Sequence, residues 1–406
     1  MTTFTPSTSA EVLDAVQWAV SEEAPLEVLG HGTKRGIGRP AQSEHALDLS
    51  RLSGVTLYEP EELVLSARAG TPLAEIEALL AEHGQELAFE PMDYAPLLGG
   101  EADGGRKSGT IGGVLAANLA GPRRIKAGAA RDHILGVHAV SGRGEAFKSG
   151  GRVVKNVTGY DLSKAMAGSW GTLAVVTDLT FKVLPAAQTE VTFALRGLTE
   201  EAAASAMALA MGSSGEVAGA AHLPESVTGR VIDGALKGKG STLFRLEGFG
   251  PSVAYRFDGL VRLLGEYGVV ERIEEPQSRL LWSEIRDCMP FADGTRRPVW
   301  RVSMAPMAAH GMVMALRMEA AVDAFYDWQG GLVWLRMEAD PEVEAVRRLL
   351  AQFGGGHATL VRAAPAIRAA VPVFQPQPPA LAALSARLKE QFDPNGILNP
   401  GRMAAT

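Results

Sequence analysis

Cysteine is almost absent from this chain, with Cys288 alone in 406 residues. That excludes an intrachain disulfide framework, and also an iron–sulfur cluster held by this chain's own thiolates. Long apolar runs are missing as well, and none approaches the length of a bilayer crossing. The opening MTTFTPSTSAEVLDAVQWAV lacks the basic start and apolar stretch of a secretory signal, so a cytoplasmic protein is expected. Basic charge is not in excess: the formal net charge is −7, which argues against a nucleic-acid surface. The short cluster Arg123, Arg124 and Lys126 suits an anionic small molecule or a partner patch better than a duplex. The eight histidines are scattered, without an H-E-x-x-H or a Cys/His cluster, and no metal site is expected.

Glycine is what the chain has in quantity. The run SGTIGGVLAANLAGPRR (108–124) sets Gly109, Gly112, Gly113 and Gly121 inside an apolar stretch. Glycine weakens strands and helices, so its recurrence there points to bare backbone lying against a phosphate or a flat ring; the alternative is a tight turn into a core helix. A second loop, LGHGTKRGIGRP (29–40), follows the short strand PLEVLG. It has Gly30 and Gly32, but Arg35 occupies the third-glycine position of a dinucleotide fingerprint and no helix follows. It reads either as a polar surface turn or as a loop whose own N–H groups cradle a pyrophosphate, helped by Thr33 and Lys34. GEADGGRKS (100–108) imitates a nucleotide phosphate loop, but Arg106 holds the lysine slot and no strand leads in, so it reads as a surface insertion.

The length predicts two domains or more. Residues 9–20 read as an amphipathic helix capped by Ser9, and residues 71–84 as a helix capped by Thr71 and closed by Gly84. ILGVHAVSGRGEAFKSGG reads as a hairpin turning at 142–144, and LAVVTDLTFKVLP as a strand ended by Pro185. Beyond Pro185, strands such as STLFRLEGFG, VWRVSMAP and GLVWLRME alternate with helices over 199–211, 251–267 and PEVEAVRRLLAQFG. That pattern indicates an antiparallel sheet covered by helices. The Pro-rich VPVFQPQPP is a linker before a last helix and the tail DPNGILNPGRM.

Four stretches in order resemble the FAD-linked oxidases of the vanillyl-alcohol oxidase (PCMH) type: LGHGTKRGIGRP, TIGGVLAANLAGPRRIKAGAARDHILGVHAV, VVKNVTGYDLSKAMAGSWGTLAVVTDLTFKVLP and LKEQFDPNGILNPGRM. Within that type, GRP, AGPRR, VTGYDLSK, GGHATL and FDPNGILNPGRM are similar to the FAD-binding E subunits of bacterial glycolate oxidases. The resemblance implies an α+β fold with an FAD-binding domain at 1–186, an α+β cap domain at 187–372, and a segment at 373–406 packing back on the first. It implies FAD contacts from Gly30, His31, Gly32, Thr33, Lys34 and Arg35, and from Thr110, Ile111, Gly112, Gly113, Ala116, Asn118 and Gly121. Gly128, Arg131 and Asp132 lie in the same family block. Gly159, Tyr160, Asp161, Gly171, Thr172 and Val176 form a third group, and Asn399 returns from the tail. The flavin is expected to be non-covalent, with a bond to His31 left open.

The implied reaction is oxidation of a small 2-hydroxy acid, glycolate to glyoxylate, by hydride transfer to flavin N5. Arg301 or Arg336 would clamp the carboxylate and His357 would act as base; each also has a plain structural reading, as an ion-pair or strand-edge residue. Implied partners are a homologous flavoprotein subunit and an iron–sulfur subunit, through which any membrane association would come. The competing reading is an electron-relay subunit whose substrate is oxidised in the sister chain.

Overall fold

Apolar spacing becomes a helix where the sequence indicates one. Val12, Ala15, Val16 and Ala19 form the buried face of the helix Ser9–Ser21. Its cap is Thr8 instead of Ser9: the Thr8 hydroxyl accepts the Glu11 N–H at 3.2 Å, while the Glu11 carboxylate accepts the Ser7 N–H at 2.7 Å. Thr71 is likewise not a cap. Its hydroxyl donates to the Arg68 carbonyl at 2.7 Å and accepts from Gly54, and the helix Leu73–Glu82 starts after Pro72. A computed structural model describes residues 2–41, 43–99, 108–151 and 160–404. The phosphate-loop imitation at 100–107 and Gly159 lie outside the described residues.

A small parallel sheet opens the chain, from β1 (Thr2–Phe4), β2 (Leu26–Leu29) and β3 (His45–Asp48), in the order β1-β3-β2. An antiparallel sheet of order β4-β5-β9-β7-β8 follows, from β4 (Val55–Glu59), β5 (Val64–Arg68), β7 (Ile134–Ser141), β8 (Ala146–Gly150) and β9 (Ala174–Lys182). The two-residue strands β6 (Gln85–Glu86) and β10 (Leu184–Pro185) pair beside it. After Pro185 one antiparallel sheet takes over: β11 (Thr189–Arg196), β12 (Gly219–Leu223), β13 (Ser241–Gly248), β14 (Val270–Ile273), β15 (Val299–Met304), β16 (Val322–Asp327), β17 (Leu332–Met337) and β18 (Gly356–Arg362). Its order is β14-β11-β13-β12-β16-β17-β15-β18, as an α+β fold requires.

Both faces of this sheet are covered, which explains strands that are apolar almost throughout. On the outer face Phe193 and Leu195 pack with Met207 and Phe257, and Trp300 and Val302 with Met312 and Leu349. On the inner face Ala194, Leu243, Phe325 and Trp334 share one core with Phe89 and Phe181 of the first lobe. Each Val, Leu, Phe or Met side chain fully buried in this way contributes about 1.5–3 kcal/mol. Alternation along β15 therefore turns Arg301 and Ser303 toward the first lobe. The C-terminal tail also returns there: Leu398 bridges Leu26, and the Asn399 side chain accepts the Val28 N–H at 2.8 Å.

Candidate functional site

Between β2 and β3 the loop carrying Gly30 to Arg35 forms one wall of a cleft of about 770 Å³, open mouth included. All six predicted loop residues line it, together with Thr110, Gly112, Gly113, Ala116, Gly171 and Val176. Gly32 needs its glycine, with φ at 72°. The loop closes on itself through Arg35 N–H to Gly32 O (3.0 Å) and Ile37 N–H to Lys34 O (3.0 Å). Among the described residues, the N–H groups of Gly32, Thr33 and Lys34 donate to no protein acceptor. All three residues line the cleft, and a run of unpaired backbone donors there suits a pyrophosphate. His31 stays in the wall, its Nδ1 2.7 Å from the Ser108 carbonyl.

The second glycine run is not a loop. It is the start of the helix Ile111–Ala116, whose Thr110 cap accepts the Gly113 N–H at 3.3 Å. The Ile111 and Gly112 N–H groups are already taken by the Thr71 and Ala69 carbonyls, and the Ile111 side chain lies in the core. A Cβ on Gly112 would sit 2.8 Å from the Ala69 carbonyl and Cβ, so this glycine serves helix-to-strand packing, not cofactor clearance. Gly113 has the open side: its nearest neighbour would be the Lys34 ammonium, at 3.2 Å.

Several predicted contacts lie elsewhere. Gly121 is glycine because the Glu90 carbonyl comes within 2.5 Å of a Cβ there, and Gly128 because Asp132 does so at 2.6 Å. Asn118 accepts the Arg131 N–H, Arg131 is exposed, and Asp132 pairs with Arg124 at 3.1 Å. Tyr160 is exposed to solvent, and Asp161 caps the helix Leu162–Met166 and pairs with Lys164. The Thr172 carbonyl accepts from Lys389 at 2.6 Å. Asn399 stands behind the wall, donating to the Trp170 carbonyl at 2.9 Å. Sequence reasoning missed Trp170 and Arg402, both lining the cleft. Their neighbours Gly171 and Asn399, within the quoted motifs, were the available signal.

The three catalytic candidates share the inner face of the second sheet but differ in surroundings. Arg336 is held between Asp293 and Asp323, with no charge to spare. Arg301 stands 4.9 Å over the Trp328 ring and meets no carboxylate among the described residues. Trp328 and Gln329 have φ of 52° and 64°, a strain that persists only when the surroundings impose it. The Trp328 indole N–H donates to the Gly121 carbonyl at 2.9 Å, linking the two lobes. Burial pushes Asp327 up to about 7, with its carboxylate accepting the Trp328 N–H at 2.7 Å. His357 pairs with Ser303, on the same face as Arg301, and is exposed.

Unpaired backbone donors and basic side chains lining one cleft of the first lobe are the features of a site for an anionic dinucleotide cofactor. Residues 2–150 match the family described as FAD binding domain. The fold is similar to that of p-cresol methylhydroxylase solved with substrate bound, at a TM-score of 0.72 and 14% identity, over 99% of this chain and 88% of that one. The protein is an FAD-linked oxidoreductase, and its cofactor is FAD. It is 35% identical over 404 residues to the glycolate oxidase subunit GlcE of Escherichia coli (strain K12), spanning 98% of this chain and 97% of the relative. The chain belongs to the GlcE family of glycolate oxidase subunits. The glycolate oxidase subunit GlcD of Bacillus subtilis (strain 168) is 27% identical over 188 residues, 46% of this chain and 37% of that protein. Among the described residues no helix is long and apolar enough to cross a membrane, and no group of three or more His, Cys, Asp or Glu could hold a metal.

Proposed function

We propose that this chain is the FAD-carrying subunit of a glycolate oxidase complex and oxidises a small 2-hydroxy acid, glycolate to glyoxylate. The observation that carries the reading is Arg301, a guanidinium in no ion pair among the described residues, on the face that the second sheet turns toward the first lobe. Its planar fork offers two parallel N–H donors to a carboxylate, which a lysine would not. Trp328 beneath it fixes the plane of that fork. His357, two positions along the same face, takes the substrate hydroxyl proton on an imidazole nitrogen. FAD, when bound, supplies the hydride acceptor. The division of labour follows the chain, with 1–186 holding a non-covalent flavin, 187–372 the substrate and 373–406 closing the flavin lobe. Electrons then pass to an iron–sulfur partner subunit in the cytoplasm, and any membrane attachment comes through partners.

A second reading has support in the GlcD likeness, which is confined to less than half of this chain. Two FAD lobes with unlike caps would let a sister subunit oxidise the acid while this chain relays electrons. Anaerobic addition of glycolate to the purified chain separates the two. Loss of the visible flavin band supports oxidation here, with His357→Ala slowing it about a hundredfold. A bound flavin that stays oxidised supports the relay.

A further inference from the structure

Four basic side chains line the cleft: His31, Lys34, Arg35 and Arg402. Two are already satisfied. Arg35 donates to both oxygens of Glu27, at 2.9 and 2.5 Å, and His31 is bonded to the Ser108 carbonyl. The other two meet no carboxylate among the described residues. Among the described residues the Lys34 ammonium has only the Thr33 hydroxyl, at 3.4 Å. Arg402 is 7% exposed, its guanidinium lies 5.4 Å over the Trp170 ring, and one Nη donates to the Lys34 carbonyl at 2.9 Å. Its Nε is buried without a partner among the described residues. A buried guanidinium and a half-buried ammonium, neither in an ion pair among the described residues, favour an anion that joins them. Burial brings Lys34 down to about 8 and Arg402 down to about 10, the direction expected of cations that lack a partner.

We propose that Lys34 and Arg402 form a two-cation clamp on the pyrophosphate of FAD, so that the C-terminal tail supplies half of the charge that holds the cofactor. A pyrophosphate diester is a dianion, matching the two unpaired cations, and the N–H row of Gly32 to Lys34 provides the neutral donors between them. Asn399 fixes the geometry three residues before Arg402, by tying the tail to Val28 and Trp170. The groups facing Lys34 are Asp93 ahead of the helix Ala95–Leu98, Arg402 on the tail, and His31 and Arg35 on its own loop. Of these, Asp93 holds the ammonium charged and Arg402 opposes it. Anion binding raises the Lys34 pKa. Affinity is therefore full below about 8 and declines as pH rises above it.

The test is a titration of the FAD-free full chain with FAD and with ADP-ribose, which carries the pyrophosphate without the ring, at several salt concentrations and from pH 6 to about 10. Lys34→Met and Arg402→Gln should each raise Kd for both ligands about ten- to a hundredfold and flatten the salt dependence. Lys34→Arg should keep the affinity and remove the decline above pH 8. Should Arg402→Gln fail to fold, Lys34→Met and the native pH profile still decide the matter. Unchanged Kd in Lys34→Met overturns the clamp, and so does weakening confined to FAD, which would set the ammonium against the ring. A native chain that takes up no FAD overturns the cofactor assignment and the clamp with it.

Discussion

Two groups of charges in this molecule behave as opposites. At the junction of the lobes, Glu90 receives both terminal nitrogens of Arg245 at 2.8 Å, and Arg123 approaches Glu86, Glu90 and Glu247. Every cation there has an anion. In the cleft, Lys34 and Arg402 have none among the described residues. Sequence does not tell them apart: Lys34-Arg35 and Arg123-Arg124 are both short basic clusters. Charge balance separates them: the closed set is a strut, and the open set is a binding site. The same contrast repeats on the second sheet, where Arg336 is saturated by two aspartates and Arg301 is not.

The largest effect should come from unbalancing the strut. Arg245→Met leaves Glu190 without its ion-pair partner and Glu90 and Glu247 with Arg123 alone, and unfolding free energy should fall by about 3–5 kcal/mol in a denaturant melt. Adding Glu90→Met should restore much of that loss, since an apolar pair of similar volume replaces the ion pair. If the double variant is no better than the single, the strut is not charge-limited. The acid side gives a second measure. Burial alone would raise Glu90, but Arg245 and Arg123 outweigh it and hold the carboxyl down at about 2. Its contribution is thus present above the unfolded carboxyl value of about 4.3 and is lost as pH falls toward 2. The native chain should show this acid loss, and the double variant should not.

The arginine pair sharpens the comparison at the substrate face. Arg301→Gln should raise KM for glycolate about ten- to a hundredfold with FAD content unchanged. Arg336→Gln should leave KM alone and lower the melting temperature, because Asp293 and Asp323 lose their shared partner. Equal effects of the two variants on KM would remove Arg301 from its assigned place.

How much of this was readable beforehand depends on distance along the chain. The loop at 29–40 could be found because its requirement is local: glycine at a left-handed φ and N–H groups left without acceptors. The antiparallel second sheet could be read from strands whose alternation survives in VWRVSMAP and GLVWLRME. Arg402 could not be assigned a role, because it meets Lys34 across 368 positions, after the whole second sheet has been traversed. Glu90 and Arg245 meet across 155. The glycines of the second run were found for a reason that only partly holds. Their shared chemistry hides different neighbours: the Ala69 backbone at Gly112, the Glu90 carbonyl at Gly121, and the Lys34 ammonium at Gly109 and Gly113.

That division among the glycines yields the smaller predictions. Gly112→Ala forces a Cβ to 2.8 Å from backbone and Cβ atoms that cannot move independently, and should cost about 1–3 kcal/mol of stability, with FAD lost only as the lobe unfolds. Gly113→Ala meets only the end of a flexible lysine, at 3.2 Å, which can swing aside. Removing a glycine from a helix even returns up to about 1 kcal/mol, so melting of the FAD-free chain should change little. Displacing the Lys34 ammonium disturbs one half of the clamp, so FAD affinity should drop a few-fold while stability holds. Gly113→Val extends the same obstruction further and should abolish FAD binding with the second lobe still folded. If Gly113→Val keeps full flavin occupancy, the helix start at Thr110 does not border the cofactor. The cleft would then owe its affinity to the loop and the tail alone.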